Sequence, residues 1–428
     1  MVRLEEYKHS TENQAIERLA LPAKVYLALS QHLGKACAPL VKVGDSVMLG
    51  QEIASVEANV FSPVHASVSG TVASIQDWPH PVLGRAKAIT IENDGKDNRH
   101  PSFVARTAEE IEGLSPNAIR QIILGAGIVG LGGAGFPTHI KLNPPKPIDT
   151  LIVNGAECEP YLTADYRLMV EKNKEILLGL DLAARCLDVK NIFIAIEDNK
   201  PQAIKLFRES TSAGWYKMSV LKSSYPQGGE KQLVKNVLAK EVPSGKLPFE
   251  VGVVVHNVAT LFAIYEAVYL GKNFYQRLVT VTGSCLTNPK NLLVRLGTPI
   301  KDLIAACGPL KREPAKIIIG GPMMGVAQFS QDVPVIKTST GIILFDKKEA
   351  RIEEEEFCIR CGACIRECPV GLMPAMISLA SQRSNWELAR TWDVMDCIEC
   401  GICSYVCPAK RNMVQYMKQA KYALTRSP

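Results

Sequence analysis

The segments CIRCGACIRECP (residues 358–369) and CIECGICSYVCP (residues 397–408) carry the same arrangement of cysteines. Both read C-x2-C-x2-C-x3-C-P, with a proline directly after the fourth cysteine. Three thiolates at this short spacing can wrap one face of a [4Fe–4S] cubane, whereas the fourth points away toward a neighbouring cluster. The two segments therefore predict two [4Fe–4S] clusters that exchange their fourth ligands.

This exchange gives each cluster one complete set of thiolates. Zinc is the alternative, but it takes four ligands in one tetrahedron and seldom uses a triple C-x2-C spacing. Gly362 and Gly401 each follow a second cysteine, where the lack of a Cβ lets backbone N–H groups approach the sulfides. The predicted ligands are Cys358, Cys361, Cys364 and Cys407 for one cluster, and Cys397, Cys400, Cys403 and Cys368 for the other.

The pattern resembles bacterial ferredoxins, although the connection between the two motifs is longer than in the simplest of them. Residues 378–395, SLASQRSNWELARTWDVM, look helical. Residues 348–428 are therefore predicted to form an α-helical two-cluster ferredoxin domain. The acidic run EARIEEEEF (349–357) before the first motif is expected to be a linker or the solvated start of a helix.

Composition excludes several other kinds of protein. A chain of 428 residues that is 47% hydrophobic and 21% charged should pack into several globular domains. No apolar run reaches the about 18 residues of a membrane span, and the polar N-terminus lacks the apolar core of a secretory signal. A cytoplasmic location is expected. The net charge of +6 is scattered rather than gathered into a basic stripe, which argues against nucleic acid as a partner.

Residues 1–100 predict a small β-domain, because short apolar runs alternate with glycine and aspartate at the corners. The runs VKVGDSVMLGQ (41–51) and SPVHASVSGTV (62–72) resemble the barrel-sandwich hybrid of lipoyl and biotinyl carriers. Those carriers place a modifiable lysine at a hairpin tip, whereas residues 58–62 (ANVFS) occupy the tip here. A structural or docking role is therefore expected for this domain.

The middle of the chain changes to alternating strands and helices. Strands are predicted at 150–154, 191–197 and 217–222, with a helix from Ala164 to Cys186, which indicates a Rossmann-like α/β domain over 101–273. Residues 274–347 offer further strands, a turn at Asn288-Pro289 and a short helix. They predict a small α+β domain.

A glycine-rich loop, GLGGAG (130–135), precedes the first of these strands. It satisfies G-x-G-x-x-G by letter, but a dinucleotide fingerprint needs a strand before it and a helix directly after it. The preceding residues 117–128 look helical instead. Taken alone, the loop is either a phosphate-binding loop or a turn required for tight packing.

Four separated segments resemble the NADH-oxidising flavin subunit of respiratory complex I. They are GLGGAGFPTHIK (130–141), VNGAECEP (153–160), YPQGGEKQL (225–233) and HNVATL (256–261). With the ferredoxin doublet, their order and spacing resemble the C subunits of Rnf complexes, which are bacterial NAD-linked electron-transport complexes. The resemblance covers nearly the whole chain and implies that residues 274–347 are a β-grasp domain of the SLBB type.

The resemblance also implies FMN, NAD(H) and the two clusters as cofactors. NADH gives up two electrons as hydride and a cluster accepts one at a time, so an intermediary such as flavin is required. No catalytic side chain is implied. Three glycines would admit FMN close to backbone N–H groups, Lys141 would supply positive charge, Phe136 would lie beside the nucleotide, and Glu159 would contact the NADH ribose. The implied cofactor-binding residues are Gly132, Gly133, Gly135, Phe136, Lys141, Asn154, Glu157, Glu159, Gly229, Glu230, Asn257 and Thr260.

The chain also departs from the complex I pattern. Ala156 stands in place of an aspartate, Lys231 stands in place of a second glutamate, and the single-cluster SCGxCxPCR motif is absent. Lys231 would place positive charge near the flavin, where it would favour the reduced anionic form, or would point into solvent.

Three functions are consistent with these residues. The first is an NAD(H)-linked subunit of an Rnf-type ferredoxin:NAD+ oxidoreductase, peripheral on the inner face of the membrane through partner subunits that translocate Na+ or H+. Ferredoxin would then be an indirect partner. The second is a soluble relative that supplies a methylenetetrahydrofolate reductase or a cobalamin reductase, although cobalamin reductases tend to lack the N-terminal β-domain. The third is a non-enzymatic two-cluster electron wire, for which Ala156 and Lys231 are the only support.

Overall fold

The computed structural model describes residues 2–211 and 215–426, which form four units in chain order. The mixed α/β architecture confirms the predicted fold class. The N-terminal segment contacts two of these units, because Ile16 bonds to the second and pairs with the third.

The N-terminal unit consists of two small antiparallel sheets. Their strand orders are β2-β8-β7-β4 and β3-β5-β6. Alternate residues of β2, such as Val25 and Leu27, are fully buried against Ile89 and Ile91 of β8, as the period of two in a strand requires. The strands are β2 (Lys24–Ala28), β3 (Ala38–Pro39), β4 (Ser46–Val47), β5 (Glu52–Ser55), β6 (Val64–His65), β7 (Gly70–His80) and β8 (Gly84–Asn93).

The tip of this unit docks on the α/β domain. The ring of Phe61 lies 6.3 Å from that of His139 in an edge contact, and the Leu33 N–H donates to the Gly135 carbonyl at 3.0 Å. The position at which a carrier would display its lysine is therefore occupied by a domain contact.

The α/β domain contains a four-stranded parallel sheet in the order β11-β10-β9-β12. The strands β9, β10 and β11 confirm the predicted ones, whereas β12 was not predicted. Helices α5 and α8 approach closely, because a Cβ on Gly179 would stand 1.9 Å from the Leu261 carbonyl oxygen. The elements are α1 (Ala108–Glu112), α2 (Pro116–Gly125), α3 (Thr138–Lys141), β9 (Thr150–Gly155), α4 (Ala164–Glu171), α5 (Asn173–Leu187), β10 (Asn191–Glu197), α6 (Pro201–Ser210), β11 (Tyr216–Leu221), α7 (Glu230–Leu238), β12 (Val253–Asn257) and α8 (Val258–Leu270).

The helix predicted from Ala164 to Cys186 is two helices. Lys172 leaves helical geometry, with φ −136° and ψ 28°, and serves as the end of α4 and the start of α5. At this break the Glu171 carboxylate accepts a hydrogen bond from the Ile16 N–H at 3.0 Å. A contact with the N-terminal segment therefore accompanies the interruption, which the apolar pattern does not reveal.

The third unit is a mixed six-stranded sheet in the order β1-β14-β13-β17-β15-β16. Its edge strand β1 comes from the N-terminal segment and pairs in parallel with β14. The N-terminal segment thus adds a strand to a sheet whose other strands lie far away in sequence. Ile16, for example, pairs with Asn291. The elements are β1 (Ile16–Arg18), β13 (Gln276–Thr282), β14 (Lys290–Arg295), α9 (Ile300–Ala306), β15 (Lys316–Ile319), β16 (Val326–Ala327) and β17 (Gly341–Phe345).

The C-terminal unit is helical, as predicted. Its small core contains Ile377, Ala389, Val394, Met417 and Ala420. The acidic run at 349–357 precedes it without a regular helix over 351–357, and most of that run is exposed. The helices are α10 (Ala363–Arg366), α11 (Pro374–Gln382), α12 (Trp386–Thr391), α13 (Ile402–Tyr405) and α14 (Met413–Arg426).

Across residues 2–211 and 215–426, none of the helices combines the length and the apolar character that crossing a bilayer demands.

Candidate functional site

The C-terminal unit gathers its eight motif cysteines into two groups. The thiols of Cys397, Cys400 and Cys403 lie within electrostatic range of Cys368, which belongs to the other motif. The Cys364 thiol lies correspondingly within range of Cys407, Cys358 and Cys361. We name these groups the inner cluster site (Cys397, Cys400, Cys403 and Cys368) and the outer cluster site (Cys358, Cys361, Cys364 and Cys407).

Both sites have the backbone freedom that a cluster loop needs. Gly362 and Gly401 adopt left-handed conformations, with φ +72° and +82°, and each begins a short helix that carries a later cysteine. Within the described ranges, no three His, Cys, Asp or Glu side chains converge on a point as they do around a single metal ion. A cubane carries each thiolate on a different iron, so two spread groups of soft sulfur ligands suit a [4Fe–4S] cluster better than zinc.

The two cluster sites differ in exposure. Cys358 and Cys361 of the outer site are exposed, and the neighbouring Phe357 is 94% exposed. Each site also has two buried cysteines, and the other two of the inner site, Cys368 and Cys397, are partly buried. The inner site therefore faces protein and the outer site opens to the surface.

The candidate flavin residues lie mainly where strands β9 and β12 end. Asn154 is in register with Asn257, and the Asn154 amide donates to the Gly228 carbonyl at 2.9 Å. The Asn257 side chain accepts from the Ala259 N–H at 2.9 Å, which caps α8, and donates to the Asp165 carboxylate at 2.5 Å. The carboxyl ends of parallel strands are where open α/β sheets bind ligands.

The glycine loop lies beside these asparagines. Thr260 of α8 is fully buried and accepts a hydrogen bond from the Leu131 N–H at 3.0 Å. A Cβ on Gly132 would stand 3.5 Å from the Asn257 side chain, whereas a Cβ on Gly133 would meet no atom within 4 Å. The Gly132–Ala134 tip is exposed and accessible to a cofactor.

Gly135 faces protein instead. A Cβ there would stand 2.8 Å from the Thr338 methyl group and 3.5 Å from the His32 Cα atom. The adjacent Phe136 is partly buried, and its carbonyl accepts from the Gly130 N–H at 2.8 Å, which closes the loop. Gly135 therefore lets the third unit and the N-terminal unit support the loop from behind.

Lys141 and Glu230 lie together across the site. Their side chains form an ion pair between the end of α3 and the start of α7, next to Gly229. Burial, and then the charge of Lys141, keep the pKa of His256 well below its usual value, so this imidazole is neutral.

Four buried polar atoms on these elements have no partner within the described part of the chain. They are the Thr138 Oγ1 and His139 Nδ1 atoms on α3, the Gln232 Oε1 atom on α7 and the His256 Nε2 atom on β12. Buried polar atoms normally meet a partner, so these atoms leave unused hydrogen-bonding capacity on the elements that carry Lys141, Glu230 and Asn257, which fits a polar cofactor such as a flavin nucleotide.

The two acidic residues in segment 153–160 have distinct partners. The Glu157 carboxylate accepts from the Asp165 and Tyr166 N–H groups at 2.7 and 3.1 Å, which caps α4. The Glu159 carboxylate accepts from the Met323 and Met324 N–H groups of the third unit at 3.1 and 2.9 Å. Both oxygens of Glu159 already accept hydrogen bonds, so the Met323 and Met324 N–H groups would compete with the NADH ribose for this carboxylate.

Lys231 lies at a domain contact. Its Nζ atom is 3.9 Å from the Asp396 carboxylate, and Asp396 directly precedes Cys397. Asp396 also accepts from the Ser244 hydroxyl and, at 3.0 Å, from the Gly245 N–H. Lys231, Ser244 and Gly245 of the α/β domain therefore contact the loop that carries Cys397 of the inner cluster site.

Sequence reasoning did not identify the residues that join the two halves of the site. Cys400 and Ile402 pack with Tyr225 in one apolar cluster, which Cys158 and Met323 border. Tyr225 is 1% exposed and begins the candidate flavin segment 225–233. The only available signal was position, because Cys158 and Tyr225 each lie within a segment that the family resemblance had already singled out.

Four family models match the chain in consecutive order. They are the RnfC barrel sandwich hybrid domain (residues 2–96), the Nuo51 FMN-binding domain (123–266), the SLBB domain (278–327) and the 4Fe-4S dicluster domain (357–411). These domains and the two sites above define a flavin- and iron–sulfur-containing electron-transfer protein.

Relatives extend this match over almost the whole chain. The C subunit of a proton-translocating ferredoxin:NAD(+) oxidoreductase complex from Clostridium ljungdahlii is 45% identical over 98% of this chain and 92% of its own. An Na(+)-translocating counterpart from Acetobacterium woodii is 44% identical over 94% and 90%, and the C subunit of an ion-translocating oxidoreductase complex from Rhodobacter capsulatus is 42% identical over 98% and 82%. The chain belongs to the RnfC family, the C subunits of Rnf-type ion-translocating oxidoreductases, which confirms the resemblance inferred from its motifs.

Among solved structures, an NAD+-reducing [NiFe]-hydrogenase in the H2-reduced state matches with a TM-score of 0.51 at 18% identity. The match covers 73% of this chain and 64% of the other. At this identity the likeness concerns the fold.

Proposed function

We propose that this chain is the NAD(H)-linked subunit of a ferredoxin:NAD+ oxidoreductase complex and passes electrons between NADH, FMN and two [4Fe–4S] clusters. Its partners would be the other subunits of an ion-translocating membrane complex, with ferredoxin as an indirect partner. It would lie on the inner face of the membrane through those subunits. The names of the relatives from Clostridium, Acetobacterium and Rhodobacter support this assignment.

The observation that carries the proposal is the contact between the candidate flavin site and the inner cluster site. Cys400 packs with Tyr225 beside Cys158, and Tyr225 and Cys158 belong to segments 225–233 and 153–160. A cluster bound there would adjoin the cofactor-binding end of the sheet. Such proximity is what electron transfer between a flavin and a cluster requires.

The chain's own residues suit these roles. FMN would supply the change from a two-electron hydride donor to one-electron acceptors. Gly132 and Gly133 would leave the backbone open to the nucleotide, and Lys141, which also pairs with Glu230, would supply positive charge beside it. Glu157 would fix the loop through its cap on α4. The residues that would line the cofactor are Asn154, Asn257, Thr260, Gly229 and Glu230.

The N-terminal unit favours the complex over a soluble cobalamin reductase partner. Its match to the RnfC barrel sandwich hybrid spans residues 2–96, and its tip contacts His139 and Gly135 next to the glycine loop. Lys231, which had supported a non-enzymatic two-cluster electron wire, instead lies against Asp396 of the inner cluster loop.

FMN content tests the flavin site. Gly133 (φ +114°) and Gly44 (φ +94°) are both left-handed, and a Cβ on either would meet no protein atom within 4 Å. Alanine at each position therefore introduces similar backbone strain, on the order of 1–3 kcal/mol. Gly133→Ala should lose non-covalent FMN and NADH-dependent reduction of an artificial acceptor, whereas Gly44→Ala should keep both.

The iron and sulfide content of the same preparations is the control for this measurement. Each protein, purified anaerobically, should contain about eight iron and about eight acid-labile sulfide per chain and should accept electrons from dithionite. Full FMN content and normal NADH oxidation in Gly133→Ala would contradict the proposed site.

A further inference from the structure

Glu159 reaches across a domain boundary. Although it lies in the candidate flavin segment 153–160, its carboxylate accepts from the backbone N–H groups of Met323 and Met324 in the third unit. The Tyr225 hydroxyl, at 3.5 Å, is its other partner. Burial raises the pKa of Glu159 to about 7, against the effect of these donors. A partly buried acid with two backbone partners on another domain has a specific structural task.

The partner segment is built to receive this carboxylate. Residues 320–325 read GGPMMG, and a Cβ on Gly321 would stand 2.2 Å from the Glu159 Oε2 atom. A Cβ on Gly325 would stand 2.3 Å from the Gly321 carbonyl oxygen. Only a turn without side chains at these positions can close around Glu159 in this way.

The opposite side of the same turn contacts the inner cluster loop. A Cβ on Gly401 would stand 2.9 Å from the Met323 carbonyl oxygen, and Met323 borders the apolar cluster of Cys400, Ile402 and Tyr225. Gly401 directly follows Cys400. The turn is thus held between the Glu159 carboxylate on one side and the backbone of the cluster loop on the other.

We propose that Glu159 is a positioning residue for electron transfer, which fixes the 320–325 turn against Gly401 and so seats the inner cluster loop beside the candidate flavin segments. This inference rests on the proposed function. The third unit would then act as a spacer, and its 320–325 turn would set the position of the inner cluster relative to the flavin.

The test compares two variants that break the same contact from opposite sides. Glu159→Gln keeps the side-chain shape but replaces one acceptor oxygen by an amide that donates, and Gly321→Ala introduces a Cβ where the carboxylate lies. Asp181→Asn is the matched control, because Asp181 is also a hydrogen-bonded acid whose pKa burial raises, but its partner is Tyr216 on β11.

The first readout needs no turnover. In the full-length protein, hydrogen exchange of the Met323 and Met324 amides should be several-fold faster in Glu159→Gln and Gly321→Ala than in the parent and in Asp181→Asn. Unchanged exchange in both junction variants would overturn the contact as the fixing element.

The second readout separates flavin reduction from cluster reduction. After rapid mixing with NADH, both junction variants should reduce bound flavin at the parent rate and with the parent KM, while reduction of the inner cluster slows several-fold. The rate of electron transfer falls with the separation of donor and acceptor, so a displaced cluster loop should slow this step and leave hydride transfer to the flavin unchanged. The EPR signal of the inner cluster should broaden or shift, and that of the outer cluster should not.

Each other outcome decides against the inference. A raised KM for NADH with normal cluster reduction would make Glu159 a ribose contact, as the family resemblance implied. Parent-like behaviour in both variants would leave Glu159 without a positioning role. If the parent protein itself bound no FMN or was not reduced by NADH, the proposed function would fail, and hydrogen exchange would still report on the contact.

Discussion

The inner and outer cluster sites share one cysteine pattern but have different surroundings. Around the inner site, Cys400 and Cys403 are buried, and Tyr225 and Met323 pack against the loop. Around the outer site, Cys358 and Cys361 are exposed. The motif therefore determines that a cluster is held, and the neighbouring domains determine what that cluster can exchange electrons with.

The different surroundings of the two sites indicate the order in which electrons pass through the two clusters. The inner site borders the candidate flavin segments, whereas the outer site faces the surface where a partner protein could dock. We expect electrons from NADH to reach the inner cluster first and the outer cluster second. That order can be tested by removing a ligand, by removing iron and by weakening the contact that seats the inner loop.

The largest effect is expected from Cys368→Ala. Cys368 belongs to the first motif but lies with Cys397, Cys400 and Cys403, so its loss should destroy the inner cluster and lower iron from about eight to about four per chain. NADH should then no longer reduce the outer cluster, although dithionite still should. Freeze-quench EPR after mixing with NADH measures this.

Cys361→Ala is the matched control for that variant. It removes a ligand from the same motif but from the outer site, so NADH should still reduce the remaining inner cluster. Loss of the outer EPR signal in Cys368→Ala with retention of the inner one would show that the fourth cysteines do not cross over.

A smaller effect is expected when iron is removed chemically. A water-soluble iron chelator should extract about half of the iron in a fast phase, because two of the four outer thiols are exposed. The EPR signal of the outer cluster should disappear during that phase. Cys361→Ala protein should lack the fast phase, and a single phase or earlier loss of the inner signal in the parent protein would contradict the difference in exposure.

Features that belong to short segments could be predicted from the sequence, whereas features that depend on contacts between distant residues could not. Cysteine spacing predicted two clusters and the α-helical surroundings, because both are properties of short segments. Strand β12 escaped prediction because VVVHN runs directly into the apolar helix VATLFAIYEAVYL, and periodicity cannot divide one apolar run into a buried strand and a buried helix.

The same limit applies to the candidate site. The four family segments are contiguous in sequence and could be recognised, whereas the contacts of Lys231 with Asp396 and of Glu159 with Met323 join residues that are distant in sequence. Gly135 shows the consequence: its motif suggested space for a cofactor, yet Thr338 and His32 lie where its side chain would be. Packing of one domain on another determines which glycine faces the cofactor.

The smallest effect is expected from Lys231→Ala. The Lys231 Nζ atom is 3.9 Å from the Asp396 carboxylate, and both side chains are partly exposed, at 28% and 20%. Such pairs contribute about 0–1 kcal/mol, and Asp396 keeps its hydrogen bonds from Ser244 and Gly245, so inner-cluster reduction by NADH should slow less than about fivefold. Added salt screens exposed charges, so it should reduce the difference between variant and parent.

Lys301→Ala is the control for this prediction. It removes the Lys301 and Asp332 pair of the third unit and should leave the rate unchanged at every salt concentration. Stopped-flow absorbance at low and high salt measures both variants. A loss of more than about tenfold that salt does not alter would instead place the Lys231 charge against the flavin or the nucleotide, because a surface pair of this kind cannot supply so large an effect.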